Sequence, residues 1–286
     1  MHNSEWSLII FTLLGQFSAG LTIGLVILDI TGSQTRDSGI SLILRKGVFI
    51  AATCMIIAML ASFFHLSAPM SSFYALSNLK DSWLSREILM VSLFTGLLLF
   101  TSIRLLYFDR EGKRLRLLLI LSASAGLFMV YSMAKIYMLP TVPAWNTTQS
   151  LIRFFGGSFI TGMSFLLLLS GIISSKETAV IKPSHHFLIA GIISAALLIG
   201  ITGALLTGTP DSIENIAFQP HIPYLTLIVP WLLWLVGCSI LILQSIKPSK
   251  HLSLSRNLQI MAFAIIIIAA LIERYYFYES FYRIGI

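Results

Sequence analysis

Residues 45–67 read RKGVFIAATCMIIAMLASFFHLS, and residues 85–108 read SREILMVSLFTGLLLFTSIRLLYF. Each is an almost unbroken apolar run, too long for a strand and without the alternation of a barrel wall. A helix of about 20 apolar residues crosses the hydrocarbon of a bilayer. Backbone amides in lipid must be bonded within their own segment, so the helix is the form these runs take. Between them lies a short polar segment with Pro69 and Trp83, and at its two edges stand an imidazole, His65, and a carboxylate, Glu87. Ionisable groups near the apolar slab carry a penalty, about 2.5–3.5 kcal/mol at a helix centre and less where a side chain reaches water.

Working outward, the same rule gives eight spans, near residues 7–29, 45–67, 85–108, 115–138, 153–174, 185–207, 223–244 and 256–278. The expected fold is therefore an all-α integral membrane protein, an eight-transmembrane-helix bundle forming one domain over residues 1–286. A mean hydropathy of +0.88 and a charged fraction of 11% agree, since soluble domains carry about 25% charged residues. The longest connection, about 17 residues, leaves no room for a soluble domain. The N-terminus lacks a basic leader region, so the first run reads as a retained helix.

The net charge of +7 arises from basic residues flanking spans and does not indicate nucleic acid. Twelve lysines and arginines fall on the side of the 1–2, 3–4, 5–6 and 7–8 connections, against five (Lys80, Arg86, Arg153, Arg274, Arg283) on the other. The positive-inside rule then puts both termini, His65 and Glu87 on the outer, periplasmic side. That side has the longer connections, rich in proline and tryptophan, which suits a docking surface for a partner protein. Cys54 and Cys238 sit singly in apolar runs, too few for an iron–sulfur cluster, a zinc site or a disulfide framework. A membrane haem calls for two histidines at matched depth, and none of the six histidines pairs in that way.

Several polar residues map to one depth near the outer surface: His65, Arg86, Glu87, Lys135, Arg153 and Glu273. Snorkelling end-caps account for part of this. Lys135 and Glu273 sit short of the interface, which points to a polar cavity. Gln16 lies deeper, where it either bonds a ligand carbonyl or joins helices beside small residues. A histidine able to exchange a proton near neutral pH and a carboxylate acting as base suit a carrier that lives in lipid and releases protons to water, such as a quinol. Lys135, Arg86 or Arg153 would stabilise developing negative charge. A small-solute or ion transporter is the rival, and it would need a polar path to the inner side.

The segments Phe11-Thr-Leu-Leu-Gly15-Gln16-Phe-Ser-Ala-Gly20, His65-Leu-Ser-Ala-Pro69-Met, Leu84-Ser-Arg-Glu87-Ile, Thr141-Val-Pro143-Ala-Trp145, and Arg274 with Phe277-Tyr278 occur in this order along the sequence. In these the protein resembles, over its whole length, the membrane-anchor subunit of bacterial anaerobic dimethyl sulfoxide reductase. The resemblance implies a haem-free subunit of the bacterial inner membrane that oxidises menaquinol and holds an iron–sulfur subunit and a molybdopterin catalytic subunit. It also implies that His65 and Glu87 are the quinol-site histidine and glutamate. An electrogenic anchor of the polysulfide reductase type is the related alternative. Two departures stand out: Ser67 replaces the family's usual glycine, and Glu273 adjoins Arg274 where the family tends to place an acid about a turn earlier.

Overall fold

The computed structural model describes residues 3–32, 38–65, 74, 76–107, 113–142, 144–174, 183–207, 224–246 and 252–280. Among these residues there are eight long helices and no strand: α1 (Asn3–Gly32), α2 (Ser38–His65), α3 (Trp83–Tyr107), α4 (Lys113–Tyr137), α5 (Thr148–Ser174), α6 (Pro183–Thr207), α7 (Tyr224–Ile246) and α8 (Leu252–Glu279). A 3-10 turn, Leu76–Asn78, precedes α3. Six of the eight, all but α6 and α7, are long and apolar enough to cross a membrane; those two carry the shorter apolar stretches Leu188–Ala204 and Ile228–Gln244. The protein is a multi-pass α-helical membrane protein.

Two helix starts lie well ahead of the hydropathic runs. α2 begins at Ser38 and takes in Arg45 and exposed Lys46, whose long stems let their charges leave the slab. α5 begins at Thr148, because the Thr147 carbonyl accepts from the Ser150 amide at 3.1 Å and the Ser150 hydroxyl donates to the Trp145 carbonyl at 2.6 Å. Polar first turns of this kind are invisible to a hydropathy window.

Helices α1–α4 pack in sequence and close α4 against α1, while α5–α8 pack in sequence and close α8 against α5. The two quartets meet chiefly along α1 and α5. These two run parallel, with the Ser158 hydroxyl donating to the Gln16 carbonyl at 2.8 Å. Their backbones touch. A Cβ on Gly20 would lie 1.8 Å from the Ser158 carbonyl oxygen, and one on Gly162 would lie 2.1 Å from the Leu21 nitrogen. Small residues at such a crossing let backbones approach where lipid supplies no hydrophobic drive between helices. At the far end of the first quartet, Arg116 Nε on α4 donates to Asp29 Oδ2 on α1 at 2.8 Å, which fixes these two helices antiparallel.

Candidate functional site

At the opposite end from Asp29, the first quartet encloses a cavity of about 470 Å³. α3 supplies one wall as a helical stripe: Leu84, Glu87, Ile88, Val91 and Ser92, spaced three and four apart. The helix is started by Ser82, whose hydroxyl accepts from the Ser85 amide at 3.2 Å, an N-cap arrangement. Starting there puts Glu87 one turn inside, 8% exposed and facing the cavity. α2 contributes Met59, Ser62 and Phe63, α1 contributes Leu8 and Phe11, and α4 contributes Ile136 and Tyr137. Phe63 and Leu84, 41% and 45% exposed, mark an opening between α2 and α3 on the outside of the bundle. The wall is mostly apolar, with one carboxylate and three hydroxyls. Such a set suits hydrogen bonds to the ring oxygens of an otherwise apolar molecule. Among the described residues no three His, Cys, Asp or Glu side chains converge on a point that could hold a metal ion.

Behind Tyr137 lies a second polar group, shared by α1, α5 and α8. Arg274 is fully buried. Its Nη2 donates to Gln16 Oε1 at 3.0 Å and stands 3.4 Å from Glu273 Oε2. Its guanidinium lies 4.0 Å from the centre of the Phe154 ring, a cation–π contact. Arg153 Nε lies 3.9 Å from Glu273 Oε1. One carboxylate thus faces two guanidiniums away from water, a placement tolerated in a bundle only when the charges meet one another.

Tyr137 joins the two regions. Its ring is held by Trp145, Phe154, Phe277 and Tyr278, all within 5.6 Å centre to centre. Its hydroxyl is 3.0 Å from that of Tyr278, which in turn is 3.5 Å from Thr12 Oγ1. Trp145 Nε1 donates to the Phe277 carbonyl at 2.8 Å and to Ser280 Oγ at 3.1 Å, pinning the end of α8 over this corner.

Of the residues singled out from the sequence, Glu87 lines the cavity. His65 is the last residue of α2, three positions beyond the cavity-lining Ser62; its side chain lies outside the described residues. Arg86 turns the other way: Nε donates to the Leu79 carbonyl at 2.9 Å, Nη2 donates to the Lys80 carbonyl, and the guanidinium stacks 4.1 Å from the Trp83 ring. Lys135 Nζ is 5.7 Å from the centre of the same ring. Neither Arg86 nor Lys135 is among the cavity's lining residues, because both are engaged with Trp83 and its turn. Gln16 and Arg153 belong to the second polar group. Glu273, beside its arginine in sequence, is nonetheless the counter-ion of both guanidiniums. The sequence assigned no site role to Tyr137, Tyr278 or Thr12, although Thr12 and Tyr278 fall in the stretches that carry the resemblance. The available signal was spacing, since Thr12/Gln16 on α1 and Arg274/Tyr278 on α8 are each one helical turn apart.

A cavity walled by helix ends, in a bundle of long apolar helices, defines a membrane-embedded helical protein. The family model described as DMSO reductase anchor subunit (DmsC) matches residues 1–280, and the protein belongs to that family. Among curated proteins it is 26% identical to the YnfH subunit of anaerobic dimethyl sulfoxide reductase from Escherichia coli strain K12, over 74% of this sequence and 72% of that protein. It is 32% identical to the C subunit of anaerobic dimethyl sulfoxide reductase of the same organism, over 57% and 58% of the two sequences. For the C subunit of the Haemophilus influenzae enzyme the identity is 25%, over 58% and 59%.

Proposed function

We propose that this protein anchors a molybdenum reductase to the bacterial inner membrane and oxidises menaquinol in the Glu87 cavity. All eight helices cross the bilayer in this reading, both termini are periplasmic, and the cavity lies beneath the periplasmic surface. The observation that carries it is the buried Glu87 carboxylate, set in a mostly apolar chamber that opens sideways between α2 and α3. A quinol would enter from lipid by that opening. Glu87 would act as the base for one ring hydroxyl, with His65 at the end of α2 as the exchanging imidazole. Two protons would leave to the periplasm. Two electrons would pass to an iron–sulfur partner docked over the same end, and from it to a molybdopterin catalytic subunit acting on dimethyl sulfoxide or a related acceptor.

Replacing Glu87 with Gln tests this. The variant keeps the side chain's size and loses the base, so quinol-driven turnover of the assembled complex should fall by about two orders of magnitude or more. Normal quinol oxidation in an assembled Glu87→Gln complex would refute the assignment.

A further inference from the structure

The three hydroxyls running from the cavity wall into the bundle have a directional property that rests on the quinol reading above and extends it. Thr12 is fully buried, and its Oγ1 lies 3.0 Å from the Leu8 carbonyl and 3.1 Å from the Ile9 carbonyl. Its one hydrogen is therefore committed to its own helix, and toward Tyr278 it can only accept. Tyr278 is 3.5 Å from Thr12 and 3.0 Å from Tyr137. A phenol has a single hydrogen, so Tyr278 donates either to Tyr137 or to Thr12.

The hydroxyl relay thus has two self-consistent settings. In one, Tyr278 donates to Tyr137, and Tyr137 is free to donate into the cavity that it lines. In the other, Tyr137 donates to Tyr278, Tyr278 donates to Thr12, and Tyr137 presents only lone pairs to the cavity. The aromatic ring contacts that hold Tyr137 keep its oxygen in place in both settings, and only hydroxyl rotors turn.

We infer that the Tyr137–Tyr278–Thr12 relay is the second ring-oxygen contact of the cavity, and that it reverses direction with the redox state of the bound ring. A quinol hydroxyl is a donor and meets Tyr137 in its accepting setting. The quinone carbonyl left after oxidation is an acceptor only, and it meets Tyr137 in its donating setting. No proton moves along the relay: both ring protons leave by the Glu87–His65 route of the quinol reading and both electrons pass to its iron–sulfur partner, while each relay hydroxyl keeps its own hydrogen and turns. The ligand class is a para-quinol/quinone pair, and Thr12 is a positioning residue whose role is to make the accepting setting available.

The test is the Thr12→Val variant of the assembled complex, with Thr12→Ser as the conservative control. The assay measures KM for reduced 2,3-dimethyl-1,4-naphthoquinone and the inhibition constant of the oxidised form. Valine keeps the shape and removes the acceptor, which locks the relay toward donation. KM for the quinol should rise about threefold to tenfold, the worth of one hydrogen bond, while the inhibition constant of the quinone stays the same or falls. Serine should restore the wild-type ratio. An unchanged ratio, or equal weakening of both forms, would overturn the relay's role while leaving the cavity assignment standing. Absence of saturable naphthoquinol oxidation in the wild-type complex would instead overturn the cavity assignment.

Discussion

Replacing Glu273 with Gln gives a direct measure of how the buried charges tie α8 to α5 within the second quartet. The carboxylate is 3.4 Å from Arg274 Nη2 and 3.9 Å from Arg153 Nε, and the two arginine side chains are 1% and 12% exposed. Removing one partner of a buried pair costs about 3–5 kcal/mol, because the charge left behind has no counter-ion. The distances are at the long end for ion pairs, which favours the lower figure. About 3 kcal/mol corresponds to a shift of roughly 100-fold in the folding equilibrium. Glutamine also leaves two guanidiniums in mutual repulsion. Replacing all three charged residues with Met should recover most of the loss, since an apolar substitute for a whole buried ion group is often neutral. Equilibrium unfolding in mixed micelles, for wild type, Glu273→Gln and the triple variant, reads both numbers. A single-variant loss below about 1 kcal/mol, the range of solvent-screened pairs, would refute the view that these charges meet out of water.

Two further outcomes follow from the packing. Gly162→Leu should abolish accumulation of intact protein in membranes, because even a Cβ would sit 2.1 Å from the Leu21 nitrogen; immunoblotting of membranes checks this, and normal levels would contradict the crossing. Trp145→Phe removes both indole hydrogen bonds, about 1 kcal/mol each, and should speed amide exchange at the C-terminal turn of α8 while leaving the middle of α5 unchanged.

The apolar runs announce the helices because the bilayer demands length and internal hydrogen bonding, both of which are written locally in the sequence. Helix ends are less readable. The first turn of α5 is built from threonines, Gln149 and Ser150, and Arg153 therefore lies in the second turn and not at the helix start. Glu87 stood out in the sequence because its carboxylate falls at the start of an apolar run, and it lines the cavity. Arg86, next to it, could not be separated from it by sequence, although helical geometry points the two about 100° apart and sends Arg86 to the Leu79 and Lys80 carbonyls. The Gln16–Arg274 bond spans 258 residues, and no local pattern names such a partner. The tie of Tyr137 to Tyr278 emerges only when α4 and α8 are brought together.

The α1–α5 crossing also has a consequence for biogenesis. Ser158 meets Gln16 across 142 residues of sequence. The glycine-lined flank of α1 is thus synthesised well before the surface that will cover it. During translation this strip must wait in the bilayer until the second quartet arrives. The first four helices can gather early, but their final alignment is set by a segment still on the ribosome.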